Sequence, residues 1–133
     1  MAAMLLWIGA NTNYNVDLPH PAIVQLDQTA LEQAYTQGRG LGKGTHLHGF
    51  YDLTTDTIYL PKDFNPYDAW HQGILLHELT HYVQDRNRVK VRCNAELEQD
   101  AWPLQKKYLL EMHGVEWHYD ELWFKLISSC STH

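Results

Sequence analysis

The fold is organised by residues 65–84, which read NPYDAWHQGILLHELTHYVQ. Asn65 and Pro66 at the start of this stretch favour a helix N-terminus, because an Asn side chain caps free backbone amides and Pro suits the first turn. Asp68 adds an acid where the helix dipole favours one. The apolar residues that follow recur at helical spacing, so we predict one helix from Asn65 to about Arg88.

Two histidines on this helix are spaced for a metal ion. His77 and His81 are the first and last residues of the pattern H-E-x-x-H, and Glu78 directly follows the first. Residues four positions apart are separated by about 40° around a helix, so both imidazoles point to the same place. The pattern is typical of zinc sites in which one helix supplies two ligands. Two solvated histidines on an ordinary helix are the alternative, and the apolar residues on the same face argue against it.

A third ligand is expected from the next predicted helix, Asn94 to His113. Catalytic zinc takes three protein ligands and keeps a position open for water. Glu96 and Glu98 stand about 200° apart around a helix, so only one of them can face the metal. Glu98 shares its face with mostly apolar residues and is therefore the preferred ligand. Pro103 bends this helix and weakens the angular argument, so Glu96 stays open as the alternative.

The segment before the zinc-binding helix predicts a β-hairpin. The alternation from Thr45 to Tyr51, the turn at 52–56 and the strand Thr57–Leu60 have the pattern of two antiparallel strands. A brief strand over residues 23–26 precedes a short helix that Asp27 caps. These segments and the helices together predict a small, mostly helical domain of the α+β class.

The two ends of the chain are predicted to be helical. Met1–Ala10 is apolar, lacks a basic leader and is too short to cross a bilayer, so we predict a first amphipathic helix and no membrane span. Glu116–Ser128 predicts a last helix. Its residues at core-facing spacing are Tyr119, Leu122, Trp123 and Leu126.

Composition and charge narrow the possible partners. A chain of 133 residues, 44% of them hydrophobic, predicts one folded domain over residues 1–133. The net charge of -6 argues against nucleic acid, because proteins that bind it display clustered Lys and Arg. Cys93 and Cys130 fit either one disulfide in an oxidising compartment or two thiols in the cytosol. We favour a periplasmic or secreted location over the cytoplasm.

A family resemblance is carried by H-E-L-T-H-Y-V-Q at 77–84, E-Q-D-A-W at 98–102 and Gln105. Over about residues 49–109 the chain is similar to the gluzincin branch of zinc peptidases. It most resembles the minigluzincins and other small bacterial metallopeptidases. The larger members carry an acid four residues after the ligand glutamate. Glu96 and Asp100 also fit that pattern, which keeps Glu96 open as the third ligand.

The resemblance implies a minimal zincin-like domain that binds one Zn²⁺ ion. It implies that His77, His81 and Glu98 are the metal ligands and that Glu78 is the general base. The strand Thr57–Leu60 is implied to align a peptide or protein substrate.

The predicted function is zinc-dependent hydrolysis of peptide bonds. Bound zinc lowers the pKa of its water ligand and polarises the substrate carbonyl, while Glu78 takes the water's proton and passes it to the leaving amine. Gln84 and Gln105 are predicted to orient the ligands. The candidates for an oxyanion donor are His113, His118 and Tyr119. Two alternatives are a zinc-stabilised binding module or pseudo-peptidase without catalysis, and an amidase that acts on cell-wall peptides.

Overall fold

A computed structural model describes residues 1–36 and 47–130. Within them, five α-helices and a three-stranded sheet confirm the α+β class. The helices are α1 (Ala2–Asn11), α2 (Gln28–Thr36), α3 (Ala69–Arg86), α4 (Glu98–His113) and α5 (Glu121–Ile127). The strands are β1 (Ala22–Leu26), β2 (Phe50–Asp52) and β3 (Thr57–Pro61). In the described part of the chain, no helix has the length and apolar character needed to cross a membrane.

The sheet has β3 at its centre. β2 pairs with β3 in antiparallel orientation, with Tyr51 opposite Ile58, which confirms the predicted pairing of the hairpin. The first strand begins only at Phe50, and Thr45 and His46 of the predicted strand lie outside the described residues. β1 pairs with the other edge of β3 in parallel, with Val24 opposite Tyr59. Parallel strands need a long crossover connection, and the chain that includes α2 provides it here. The alternation of residues within a strand does not indicate such a distant partner, so this pairing was not predicted.

The central helix α3 begins at Ala69, and its N-cap lies three residues later than the predicted one. Asp68 is its N-cap, because its carboxylate accepts a hydrogen bond from the amide of His71 at 3.0 Å. Asn65 instead closes the turn before the helix by accepting from the amide of Tyr67 at 2.9 Å. Both residues are good caps, so local preference alone does not decide between them. The helix ends at Arg86, two residues before the predicted end.

The core lies between the sheet and the helices α1, α3 and α4. Its buried side chains are Leu5, Ile8, Ile58, Leu60, Ile74, Leu76, Leu79, Tyr82, Val83, Leu104 and Tyr108. Gly73 lets α3 and α4 approach closely, because a Cβ atom there would lie 2.9 Å from the Leu109 side chain. The space that a side chain at position 73 would occupy is therefore taken by Leu109 of α4. This close packing brings the first turn of α4 towards the two histidines.

The C-terminal helix α5 is shorter than predicted, and the face that it turns towards the rest of the protein is not the predicted one. Leu122, Trp123 and Leu126 are 69%, 57% and 63% exposed, so the prediction that they face the core is wrong. Phe124 makes the inward contact, with its ring 5.5 Å from that of Trp102. A helix of seven residues buries only one narrow face, and here its packing selects Phe124.

Cys93 and Cys130 form a disulfide, with their Cα atoms 5.8 Å apart. Of the two states that the sequence left open, the structure therefore has the bonded one. The bond joins the end of the chain to the segment just before α4.

Candidate metal centre

The two histidines of α3 converge as their helical spacing predicts. The Nε2 atoms of His77 and His81 lie 3.1 Å apart. The side chains are 15% and 14% exposed, so both rings are largely shielded from solvent. Potential ligand atoms of His77, Glu78 and His81 all lie within 4.8 Å of one another, and this group can hold a metal ion.

Glu98, the first residue of α4, joins the pair. Its Oε2 lies 3.0 Å from Nε2 of His77, and its Oε1 lies 2.7 Å from Nε2 of His81. Glu96 lies in the 3₁₀ turn Asn94–Leu97 that leads into α4, and its carboxylate binds the Arg92 guanidinium at 2.7 Å. The structure thus places Glu98 beside the histidines, whereas the carboxylate of Glu96 is bound to Arg92.

Hydrogen bonds behind the histidines define which ring nitrogen faces the cluster. Gln84 donates from Nε2 to the backbone carbonyl of Leu97 at 2.9 Å, so its Oε1 is turned towards Nδ1 of His81, also at 2.9 Å. An amide oxygen only accepts, and Nδ1 must therefore carry the proton. Gln105 Oε1 contacts Nδ1 of His77 in the same way at 2.8 Å. Both Nε2 lone pairs are left for the cluster, as in metal-binding histidines.

The cluster passes a test of its fit to a metal ion. Glu98 Oε2 is buried and, among the residues that the structure describes, has no hydrogen-bond partner, although Nε2 of His77 lies 3.0 Å away. Two imidazole nitrogens and a carboxylate are a donor set that zinc accepts. Ligand atoms around tetrahedral zinc are about 3.3 Å apart, so the observed spacings of 2.7–3.1 Å need to widen only by tenths of an ångström.

The charges in the cluster also suit a cation. Burial raises the pKa of Glu98, but the two imidazoles of His77 and His81 beside it outweigh burial and hold this pKa well below its usual range. Burial lowers the pKa of His81, but the hydrogen bond and charge of Glu98 outweigh that effect and raise it to about 9. Glu98 is thus a carboxylate at neutral pH, and a metal ion competes with a proton for His81.

Glu78 lies at the junction between the cluster and a cleft. It is 9% exposed, and it lines a cleft of about 320 Å³ that we call the strand-side cleft. The lining of this cleft also includes Phe50 and Tyr51 of β2. The Tyr51 hydroxyl donates to Asp85 of α3 at 2.6 Å, which fastens β2 beside the helix that carries the histidines.

The implied role of the strand Thr57–Leu60 in aligning a substrate does not fit the structure. These residues form β3, whose two edges are both occupied by β1 and β2. A peptide therefore has no edge of β3 to pair with. The strand that lines the cleft is β2, and within residues 1–36 and 47–130 it pairs with β3 alone.

The three oxyanion candidates lie outside the strand-side cleft. His113 contacts Gln72 at 2.9 Å and lies fifteen residues along α4 from Glu98, about 22 Å at the helical rise. His118 is exposed and pairs with Glu116 at 3.5 Å. Tyr119 packs on Trp102 and Trp117. The structure does not bring any of them to the metal cluster.

Sequence reasoning missed a support behind Gln84. The Tyr14 hydroxyl donates to Asp100 at 2.6 Å and lies 3.5 Å from Nε2 of Gln84. Burial, and then the hydrogen bond to Asp100, raise the pKa of Tyr14 to about 12. No local pattern relates Tyr14 to α4, because only the packing of the N-terminal segment brings them together.

Comparisons with known proteins add the family and leave its chemistry open. Neither the curated proteins nor the solved structures gave a match to this chain. One family model, described as "Domain of unknown function (DUF6647)", matches residues 1–133. That match covers the whole chain, including both elements that build the metal cluster. The protein is therefore a member of the DUF6647 family.

Proposed function

We propose that this protein is a zinc-dependent peptidase of the gluzincin type. His77, His81 and Glu98 hold the ion, and Glu78 is the general base. The observation that carries the proposal is the convergence of two imidazole Nε2 atoms and one carboxylate within 2.7–3.1 Å, directly beside Glu78. When bound, zinc supplies a Lewis acid and lowers the pKa of a coordinated water.

Glu78 has the position that a general base requires. It follows His77 in sequence, is nearly buried, and faces the strand-side cleft. Its carboxylate accepts the proton of the attacking water and then donates that proton to the leaving amine. Glu78 is only 9% exposed, and this low exposure strengthens its interaction with the positive charge that develops on the amine.

The substrate is a peptide in extended conformation. Phe50 and Tyr51 place β2 along the cleft wall, and an extended peptide can add to the edge of such a strand through main-chain hydrogen bonds. This arrangement replaces the one expected from Thr57–Leu60. The disulfide between Cys93 and Cys130 supports a periplasmic or secreted location, because such bonds persist in oxidising compartments.

The test combines metal analysis with a cleavage screen. Zinc-loaded wild-type protein and Glu78→Gln are each incubated with a peptide library that includes cell-wall peptides, and products are identified by mass spectrometry. We expect one zinc per chain in both proteins. Cleavage should fall by about 10²–10⁴-fold in Glu78→Gln, since it loses the base and keeps the ligands.

Glu96→Gln is the matched control. It removes a carboxylate near the site that binds Arg92 instead of the histidines, so both zinc content and cleavage should stay at the wild-type level. If zinc-loaded wild-type protein cleaves no peptide while the metal-free protein unfolds, the ion is structural and the protein is a binding module. If only cell-wall peptides are cleaved, the substrate belongs to the amidase alternative.

A further inference from the structure

A second cleft opens at the metal cluster and, like the strand-side cleft, is lined by His77 and Glu78. We call it the tryptophan cleft. It has a volume of about 330 Å³. Its walls include Trp70, Trp102, Trp117 and Ile74, while His77 and Glu78 form its end towards the metal cluster. The two clefts share His77 and Glu78, so a peptide bond placed there has one flank in each cleft.

The tryptophans are tied to the elements that carry the metal cluster. Trp70 lies in the first turn of α3, seven residues before His77 and so on nearly the same helix face. Trp102 lies one turn after Glu98 on α4. Trp117 comes from the connection between α4 and α5 and contacts both other rings, at centroid distances of 5.3 Å and 5.4 Å. The rings therefore hold one another in place beside the cluster.

The exposure of Trp70 points to a ligand. Trp70 is 38% exposed although it is a large apolar side chain, and it lines the cleft together with Trp102, Trp117 and Ile74. Apolar surface gathered in a concave site, with a few polar groups at one end, is the usual composition of a ligand pocket. The volume is near the lower end of the range for such pockets, about 300–1,000 Å³, and suits one large side chain.

We propose that the tryptophan cleft binds a large apolar, preferentially aromatic side chain next to the peptide bond that is cleaved. This inference rests on the proposed peptidase function and names its substrate class. The walls offer ring faces and edges in several orientations, which favours edge-to-face and offset contacts with an aromatic guest. The lining that the structure describes contains no Lys or Arg side chain, and Glu78 within it repels an acidic side chain.

The first test uses pairs of peptides that differ only in Phe or Ala beside the cleaved bond. Wild-type protein should cleave the Phe peptide with a kcat/KM at least about 10-fold higher, the lower bound for discrimination by apolar pockets. Trp70→Leu should reduce that ratio towards one. Trp123→Leu is the control, because Trp123 is 57% exposed on α5 and does not line the cleft; its ratio should equal that of the wild type. An unchanged ratio in a folded, zinc-loaded Trp70→Leu protein overturns the proposal.

The second test measures binding without catalysis. Zinc-loaded Glu78→Gln is titrated with N-acetylphenylalanine amide or N-acetylalanine amide, and the indole N–H signals are followed by NMR. The signals of Trp70, Trp102 and Trp117 should shift with the Phe compound. Those of Trp7 and Trp123 serve as internal controls and should not shift.

The two tests separate failure of the inference from failure of the proposed function. Selective shifts of the cleft tryptophans in a protein that cleaves no peptide would refute the peptidase and support the cleft assignment. Peptide cleavage with no aromatic preference and no selective shift would support the peptidase and refute the cleft assignment.

Discussion

Replacing Gln84 with leucine would remove the side chain that holds His81 in its metal-binding tautomer. Gln84 is 1% exposed, accepts from Nδ1 of His81 at 2.9 Å and donates to the carbonyl of Leu97 at 2.9 Å. Leucine has similar bulk and can make neither bond. The substitution therefore leaves one donor and one acceptor without their partner in a largely buried environment.

The magnitude follows from these two bonds. An unsatisfied buried polar group costs about 1–3 kcal/mol, so the unfolding free energy of the metal-free protein should fall by about 2–6 kcal/mol. Loss of a hydrogen bond behind a metal ligand typically lowers affinity by about 10–100-fold. We expect the dissociation constant for zinc to rise by that factor, because the His81 ring is no longer held with Nε2 towards Glu98.

The assay is a competition titration with a chromophoric zinc chelator, accompanied by urea unfolding of the metal-free protein. Gln33→Leu is the matched control, because Gln33 is exposed on α2 and distant in sequence from the cluster; both quantities should stay at wild-type values. Zinc binding by a folded Gln84→Leu protein at wild-type affinity would refute the tautomer argument.

Three further predictions follow from the site and its supports. Glu98→Gln should weaken zinc binding by more than about 100-fold in the same chelator titration, because Glu98 contacts both histidines. Glu96→Gln should leave zinc binding unchanged, because Glu96 binds Arg92; equal effects of the two substitutions would mean that the third ligand is wrongly assigned. Replacing both Cys93 and Cys130 with serine should lower the unfolding free energy by about 4 kcal/mol, because the disulfide joins residues 37 positions apart and limits the unfolded chain; a loss below about 1 kcal/mol in urea would contradict this. Tyr14→Phe should cost about 0.5–1.5 kcal/mol at pH 7 through the lost bond to Asp100, which is exposed. The stability that the raised Tyr14 pKa contributes is fully present below pH 10 and is lost as the pH rises towards 12. Between these pH values the wild type should therefore lose more unfolding free energy than Tyr14→Phe in urea unfolding, and equal losses in the two proteins would contradict this prediction.

Features that depend on neighbouring residues could be predicted from the sequence. The convergence of His77 and His81 needs only a helix and a spacing of four. The pairing of β2 with β3 needs only alternation on both sides of a short turn. The α+β class follows from the same local patterns, and the structure confirms it.

Features that depend on distant packing were predicted less well. Helical angles favoured Glu98 over Glu96, but the structure shows the physical reason for the choice: Arg92 holds the Glu96 carboxylate, and close packing at Gly73 draws α4 towards the histidines. The exposed face of α5 was wrongly predicted to be buried, because periodicity shows that a helix has an apolar face without showing what covers it. The parallel pairing of β1 and the tryptophan cleft have no local signal.

The amino-acid sequence by itself determined the two histidines on one helix, the glutamate between them and the hairpin before them, since each depends on the geometry of a few consecutive residues. Only the tertiary structure decided which carboxylate meets the histidines, which strand lines the cleft, and that three tryptophans gather beside Glu78. Those features join elements far apart in the chain, and their positions are set by how side-chain volumes fit when helices and strands pack.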